Sequence, residues 1–224
     1  MKILLRIGGS IIGSPPNERV VSGYAKVIRA LLSEGNSVGL VVGGGACARG
    51  YIASAKALGL SAEQQDTIAI WVSRVNAKLI AMTLGVPGPI PTSTAEAVKA
   101  LRRNRITVMG GLKPGITTDS VGVLLAEKWK ADVILKGTDQ DGIYTADPRK
   151  HRDAKKLDKI THARMREIVG IKHTPGVHSI VDPVAVGMLA KSKIKLAVFK
   201  GSRPENVLDV VHGKKIGTLV ESVV

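Results

Sequence analysis

Three glycine clusters in this chain each follow a short apolar run, and glycines in that setting are well suited to holding phosphate groups. The clusters are Gly8-Gly9-Ser10, Gly43-Gly44-Gly45 and Gly110-Gly111. Apolar runs that end in glycine are typical of buried strands leading into tight turns. Glycine there allows positive φ and lets backbone N–H groups come close to phosphate oxygens. Any one cluster could be only a turn, but three at equivalent positions favour a phosphate-binding site.

The motifs of several well-known nucleotide, hydrolase and metal sites are missing from the sequence. It contains no G-x-x-x-x-G-K-[ST] segment and no G-x-S-x-G elbow, which argues against a Walker P-loop and a serine hydrolase. Residues 43–48 match only the loose G-x-G-x-x-A form of the dinucleotide fingerprint. In addition, the next acid at a suitable distance, Asp66, falls in a predicted helix rather than at a strand end. Residues 139–142 begin like a calcium loop but lack the ligands that should follow. The five histidines lack tight metal-ligand spacing: His151, His162, His173, His178 and His212.

Strand and helix patterns alternate along the chain and predict the framework that carries these clusters. Strands are predicted at 2–7, 37–42, 105–109, 131–135, 195–199 and 216–220. Helices are predicted at about 20–32, 61–84, 94–103, 117–129 and 202–211, with one more starting at Asp182-Pro183. This alternation predicts an α/β fold, with a mainly parallel sheet sandwiched between helices. The polar stretch 147–158 is interpreted as a loop, so residues 1–224 are expected to form one domain.

The composition indicates which kinds of ligand and which cellular compartment are favoured. The formal net charge is +15 but only 3% of residues are aromatic, so there is little with which to stack bases, and the basic residues are spread along the chain. Nucleic-acid binding is therefore disfavoured, and either phosphorylated small-molecule ligands or a merely solvated basic face is favoured. No apolar run comes near the roughly 20 residues that span a bilayer, and the lone Cys47 fits a reducing cytosol. A cytoplasmic protein without membrane partners is expected.

The ordered set of motifs resembles the amino acid kinase superfamily over almost the whole chain. The motifs are 6–10 (RIGGS), 43–45 (GGG), 117–120 (TTDS) and 136–148 (KGTDQDGIYTADP). Within it, 41–50, 114–119 and 141–148 are most similar to the uridylate kinases of the short archaeal type. The resemblance implies a carbamate kinase-like fold and phosphoryl transfer from ATP to UMP, assisted by Mg²⁺, in pyrimidine nucleotide (CTP) biosynthesis. It also implies a homohexamer.

The resemblance further implies roles for individual residues, with the acceptor nucleotide on the N-terminal half and ATP on the C-terminal half. ATP phosphates would be held by Gly9, Ser10, Gly45 and Arg49, and the adenine and ribose by Thr138, Tyr144 and Asp147. UMP would lie against Gly44, Asp66, Pro114, Gly115, Ile116, Thr117, Thr118, Asp119 and Ser120. Lys136 and Arg6 would be the catalytic cations, with Asp119 orienting the lysine and Mg²⁺ bridging phosphates without protein ligands. Many superfamily members carry lysine where this chain has Arg6, and the two are not equivalent.

Other interpretations remain open at this stage. Lys136 and Arg6 could form ordinary salt bridges at strand ends, Asp66 could lie on a solvated helix face, and Asp119 could simply favour a helix N-terminus. A sister kinase such as isopentenyl phosphate kinase is the nearest rival. That branch is expected to carry a histidine just after the second glycine cluster, where residues 46–49 read ACAR. A nucleotide-binding storage or regulatory protein without turnover is the rival of a different class.

Overall fold

The computed structural model describes residues 1–148, 150–169 and 180–222, and it has the predicted α/β architecture. The strands, in chain order, are β1 (Lys2–Ile7), β2 (Ser37–Val42), β3 (Ile106–Met109), β4 (Val133–Thr138), β5 (Ile143–Tyr144), β6 (Lys156–Leu157), β7 (Lys159–Thr161), β8 (Lys195–Lys200) and β9 (Thr218–Glu221). Seven form one sheet in the order β3-β2-β1-β4-β8-β9-β7, while β5 pairs with β6. Within the large sheet only the β8–β9 pair is antiparallel. The prediction of a mainly parallel sheet is confirmed.

Helices cover both faces of the sheet. They are α1 (Gly9–Ile12), α2 (Glu18–Ser33), α3 (Gly45–Ala57), α4 (Ala62–Leu84), α5 (Thr94–Asn104), α6 (Thr118–Trp129), α7 (His162–Val169), α8 (Pro183–Ser192) and α9 (Asn206–Val211). Successive side chains of a strand point to opposite faces, so Leu5 joins the core beneath α2, α4 and α9. Leu4 joins the core beneath α5, α6, α7 and α8. The sheet is therefore the middle layer of an α/β/α sandwich.

Side-chain caps set where several long helices begin. The Asn17 carboxamide accepts hydrogen bonds from the first turn of α2. Ser61 and Gln64 form the predicted capping box at the start of α4, so two backbone donors that lack helical partners are satisfied. Asp182 caps α8, with Pro183 at the first helical position, as the cap-then-proline order predicts. The short polar residues in the sequence thus fix the helix starts that surround the sheet.

The structure corrects some of the predicted elements. Ser202 and Glu205 do not form a capping box, because α9 starts at Asn206 and Glu205 caps it without a side-chain hydrogen bond. Strand β4 continues to Thr138 rather than stopping at residue 135, since 136–138 stay paired with β8. Helix α3 was not predicted. Its two buried residues are both alanines, so it lacks the periodic large apolar side chains that signal a helix.

Helix α4 has an apolar outer face that the composition did not anticipate. By length and composition alone this helix could cross a membrane, and a third of its apolar window is buried. Its inner face packs on the sheet through residues that include Ala77 and Ile80. The outer face exposes Trp71, Val75 and Met82. Asp66, Arg74 and Lys78 interrupt the helix, so it holds no continuous apolar run near 20 residues, and only its average composition is apolar enough for a span.

Candidate active site

A cavity of about 1010 Å³ opens at the carboxyl ends of β1, β2 and β4. Parallel strands bring the turns that follow them together at this edge, which is where ligands bind in open α/β sheets. The cavity is lined by two cations from strands, Arg6 and Lys136, and by three carboxylates from helices or their caps, Asp66, Asp119 and Asp182. Charged groups of both signs at one sheet edge suit a ligand with several ionised oxygens and polar hydroxyls.

The first two glycine turns touch each other at the floor of this cavity. A Cβ atom built on Gly9 would lie 2.1 Å from the Gly45 nitrogen, and Gly45 itself has a φ of +65°. No side chain could be accommodated at either position without moving backbone. The start of α3 carries no side-chain cap, so its N–H groups are available to an anion, which the helix dipole also favours. Asn76, buried in α4, donates to the Gly43 carbonyl at 2.9 Å and supports this turn.

The third glycine cluster packs closely against helix α4. A Cβ atom on Gly110 would lie 2.8 Å from the backbone nitrogen of Arg74. The Gly111 N–H donates to the Ser73 hydroxyl at 2.7 Å, and Arg74 donates to the carbonyls of Gly111 and Leu112. These glycines therefore let β3 end directly against α4, and the Gly111 N–H is committed to protein rather than free for phosphate.

Lys136, Arg6 and Asp119 form one compact charged cluster. Parallel register places Arg6 beside Lys136 on neighbouring strands, and the start of α6 brings Asp119 over both. Lys136 Nζ donates to Asp119 Oδ1 at 2.5 Å, and Arg6 Nε lies 2.6 Å from the same oxygen. The Arg6 Nε–H finds no hydrogen-bond acceptor among the described residues, so that contact is an ion pair. Arg6 Nη2 donates to the Thr118 hydroxyl at 2.7 Å.

Burial and mutual attraction set the protonation states of this cluster. Burial raises the pKa of the Asp119 carboxyl, but attraction from Arg6 and Lys136 outweighs it and lowers the pKa to about 2. Burial lowers the pKa of the Lys136 ammonium to about 8, against the opposing attraction of Asp119. At neutral pH the carboxylate is therefore ionised, and the lysine is largely protonated but close to its titration range.

The predicted acceptor residues come together on one side of the cavity. Asp66, on α4, accepts a hydrogen bond from the Gly115 N–H at 2.7 Å. Gly115 has a φ of +78°, which a side chain would strain. Thr117 caps α6 by accepting from the Ser120 N–H. Asp66 thus joins the long helix to the loop that leads into α6.

Most of the sequence-predicted site residues line the cavity. Those that do are Arg6, Gly9, Ser10, Gly44, Gly45, Arg49, Asp66, Gly115, Ile116, Thr117, Thr118, Asp119, Ser120, Lys136 and Thr138. Three predicted residues are not among the described lining residues: Pro114, Tyr144 and Asp147. The Tyr144 hydroxyl instead donates to Asp141 at 2.8 Å. Sequence reasoning missed five polar lining residues, Ser73, Lys113, Asp139, Gln140 and Asp182. For Asp182 the sequence signalled only a helix start.

These features define an α/β protein in which two glycine turns and a buried Lys–Asp–Arg cluster line one cavity. Comparison with known proteins gives its family. Residues 1–200 match the amino acid kinase family. The chain belongs to the amino acid kinase family.

The relatives that match along the full chain include two from archaea. The "Uridylate kinase" of Methanocaldococcus jannaschii is 37% identical over 99% of this chain and 100% of its own length. That of Methanothermobacter thermautotrophicus is 39% identical over 98% of this chain and 99% of its own. The crystal structure of uridylate kinase from Archaeoglobus fulgidus superposes with a TM-score of 0.89 at 37% identity, covering 98% of this chain and 100% of that one. A UMP kinase structure from Bacillus anthracis, at 21% identity and a TM-score of 0.83 over 100% of this chain and 96% of its own, supports the fold alone.

Proposed function

We propose that this chain is a uridylate kinase, which transfers the γ-phosphoryl group of ATP to UMP and forms ADP and UDP. The observation that carries the proposal is the Lys136–Asp119–Arg6 cluster. It faces the two glycine turns across one cavity, in a chain that matches archaeal uridylate kinases over its full length. A phosphorylated donor and a phosphorylated acceptor both need such a set of N–H groups and cations.

The two nucleotides would occupy opposite sides of the charged cluster. The donor phosphates would lie on the glycine turns, in reach of Gly9, Ser10, Gly45 and Arg49. The acceptor would lie between α4 and the 114–120 loop. There, Asp66 already accepts one loop N–H through Oδ2, and its other oxygen could accept a ribose hydroxyl. Beyond Thr138, ATP would extend toward Tyr144 and Asp147, which lie outside the described lining.

Phosphoryl transfer between these ligands depends on positioning and charge rather than on a base. The attacking oxygen belongs to an acceptor phosphate that is already ionised, so no proton has to be removed. Charge spreads over the transferring group, and a preorganised cation beside it lowers the barrier. Asp119 is the one hydrogen-bond partner that the described residues give Lys136 Nζ. The ammonium thus keeps donors for a phosphoryl oxygen while Asp119 fixes its position.

Mg²⁺ would enter with ATP, bridging its phosphates and neutralising part of their charge. The described residues contain no group of three His, Cys, Asp or Glu side chains that could hold a metal ion. Asp119 is occupied by Lys136 on one oxygen and accepts the Asp182 N–H on the other. We therefore propose that phosphate oxygens would supply most of the ligands of the ion.

We also propose that the chain works as a homo-oligomer in the cytoplasm, in pyrimidine nucleotide synthesis. The support for assembly is the outer face of α4, where Trp71, Val75 and Met82 are 60%, 67% and 69% exposed. Their spacing places them on one side of the helix, and contact with a second copy would remove that apolar surface from water. A Val75→Glu variant should then sediment as a smaller species than the wild type, and an unchanged sedimentation coefficient would contradict α4 as the contact.

An ADP-release assay with ATP and Mg²⁺ tests the activity across a panel of acceptors. The panel holds UMP, CMP, dUMP, isopentenyl phosphate, aspartate and acetylglutamate. UMP should give the highest kcat/KM. If another acceptor is turned over about tenfold better, which corresponds to about 1.4 kcal/mol in transition-state binding, the uridylate assignment is wrong. ATP binding without ADP release for any acceptor would instead identify a storage or regulatory protein.

A further inference from the structure

Asp182 uses both carboxylate oxygens to join the starts of two helices at the cavity. Oδ1 accepts from the N–H groups of Val184 and Ala185 at 2.9 and 3.0 Å, and so caps α8. Oδ2 accepts the Thr117 hydroxyl at 2.5 Å and lies 3.4 Å from the Ser120 hydroxyl. Thr117 is itself the cap of α6. One carboxylate therefore ties the start of α8 to the start of α6.

The same segment also reaches the charged cluster. The Asp182 N–H donates to Asp119 Oδ2 at 3.3 Å, while Asp119 Oδ1 pairs with Lys136 and Arg6. The Asp119 carboxylate is thus held from two directions, by the cations of the sheet and by the backbone at the start of α8. Asp182 lies 63 residues from Asp119 and lines the cavity itself.

Thr117 donates a charge-assisted hydrogen bond to the Asp182 carboxylate. Its hydroxyl oxygen receives the Ser120 N–H at 3.1 Å, and its proton points to Asp182 Oδ2. An ionised carboxylate only accepts hydrogen bonds, whereas an asparagine that keeps its oxygen on the α8 cap must present an NH₂ group to Thr117. The Thr117 hydroxyl would then have to turn its proton away and accept from that NH₂ group through its second lone pair, so the charge-assisted bond that anchors the turn at the start of α6 would be lost.

We propose that Asp182 is a positioning residue of the active site, which anchors the acceptor-binding turn at the start of α6, and with it Asp119, to helix α8. This inference rests on the proposed function, because it assigns that turn to the acceptor phosphate. Asp182 need not touch the reacting atoms. It acts through Thr117 and Asp119, so its loss should affect acceptor binding and turnover more than ATP binding.

Asp182 also contributes negative charge near Lys136. The charged groups that face Lys136 are Arg6 from β1, Asp119 from α6 and Asp182 from the start of α8. Burial is the largest cause of the lowered Lys136 pKa, and the charge of Arg6 lowers it further. The charges of Asp119 and Asp182 act in the opposite direction and raise it. Neutralising Asp182 should therefore lower the Lys136 pKa further. The alkaline limb of a kcat/KM profile, which reports the free enzyme, should then move to lower pH, an effect that a purely structural helix cap would not produce.

Steady-state kinetics of Asp182→Asn, with UMP and ATP varied separately, test this role. We expect kcat/KM for UMP to fall by about 10- to 100-fold, as for reacting groups that are misplaced by up to an ångström. The KM for ATP should change much less. Thr117→Val removes the hydroxyl that Asp182 holds, so adding it to Asp182→Asn should cost less than the two single effects combined. Fully additive effects would contradict the coupling.

Ser93→Ala is the matched control, because Ser93 caps α5 through the Glu96 N–H and is not among the described lining residues. It should lower the melting temperature and leave the kinetics and pH profile unchanged. If the wild type is active and Asp182→Asn keeps wild-type kinetics and the wild-type pH profile, the positioning role is wrong but the proposed function stands. A wild type that forms no UDP would overturn the proposed function, so the two failures are distinguishable.

Discussion

Replacing Lys136 by methionine tests the centre of the proposed mechanism. The variant keeps much of the bulk of the lysine stem and deletes a charge whose side chain is only 7% exposed. Water screens a charge poorly in such a setting, so its effect on a neighbouring phosphoryl group is large. Loss of one preorganised donor of this kind lowers kcat by about 10²- to 10³-fold, or about 3–4 kcal/mol. We expect that fall in kcat, with smaller changes in the KM for UMP and for ATP.

The variant should remain folded, which makes the kinetic result interpretable. Removing one partner of a buried ion pair costs about 3–5 kcal/mol when the other charge is left alone. Here Arg6 stays 2.6 Å from Asp119, and the cost of burying an ammonium disappears, so the loss of stability should be smaller. Circular dichroism melting measures this. Lys99→Met, on the exposed side of α5, is the control for the lost net charge and should have wild-type kcat.

The pH profile adds an independent readout. Lys136 has a pKa of about 8 in the folded protein, so its charge is present below that pH and is lost as the pH rises through it. Wild-type kcat/KM, which reports the free enzyme, should decline above about pH 8, and the residual kcat/KM of Lys136→Met should lack that limb. A folded Lys136→Met protein with near-normal kcat would refute the reasoning, and would leave Arg6 and Mg²⁺ to stabilise the phosphoryl charge.

Three further substitutions test the acceptor site, the charged cluster and a buried hydroxyl. Asp66→Ala should raise the UMP KM about tenfold or more and weaken the preference for UMP over dUMP, since a charged hydrogen bond contributes about 1.5–3 kcal/mol. If the KM rises equally for both nucleotides, the substitution removed only the loop contact and no hydrogen bond to the ribose. Asp119 has its pKa lowered from 3.8 to about 2, so its ion pairs stabilise the fold fully above pH 3.8 and lose that effect as the pH falls through 2. Urea unfolding should show that loss, about 2 kcal/mol, in the wild type but not in Asp119→Asn. Tyr24→Phe should cost about 1–2 kcal/mol of unfolding free energy, because the buried hydroxyl donates to the Gly201 carbonyl at 2.7 Å. Tyr51→Phe is the control and should cost little, since Tyr51 is 57% exposed. Equal effects of the two substitutions would contradict the argument.

Local signals in the sequence predicted the framework and the centre of the site. Short apolar runs predicted β1 and β2, and the capping box predicted the start of α4, because each depends on neighbouring residues. Lys136 follows an apolar strand and was therefore expected at the carboxyl edge of the sheet, whereas the place of Asp119 beside it was implied by the family resemblance. Their predicted pairing appears as the 2.5 Å contact.

What the sequence could not predict depends on packing between distant segments. Asp182 and Thr117 are 65 residues apart, and nothing local indicates that two helix starts meet. The role of Gly110 is decided by the approach of α4, which leaves no space for a Cβ atom. The sequence alone does not distinguish a glycine pair suited to phosphate from one that leaves room for a neighbouring helix.

Arg6 illustrates how the geometry can accommodate a departure from the lysine that many superfamily members carry. A guanidinium can direct several N–H groups in one plane, whereas an ammonium is a point charge. From one strand position, Arg6 donates to the Thr118 hydroxyl and pairs with Asp119, so it braces the start of α6 from the sheet side. Asp182 braces the same turn from α8. In the proposed mechanism Arg6 therefore orders the acceptor turn while Lys136, which the described residues bind only through Asp119, supplies the cation to the transferring phosphoryl group.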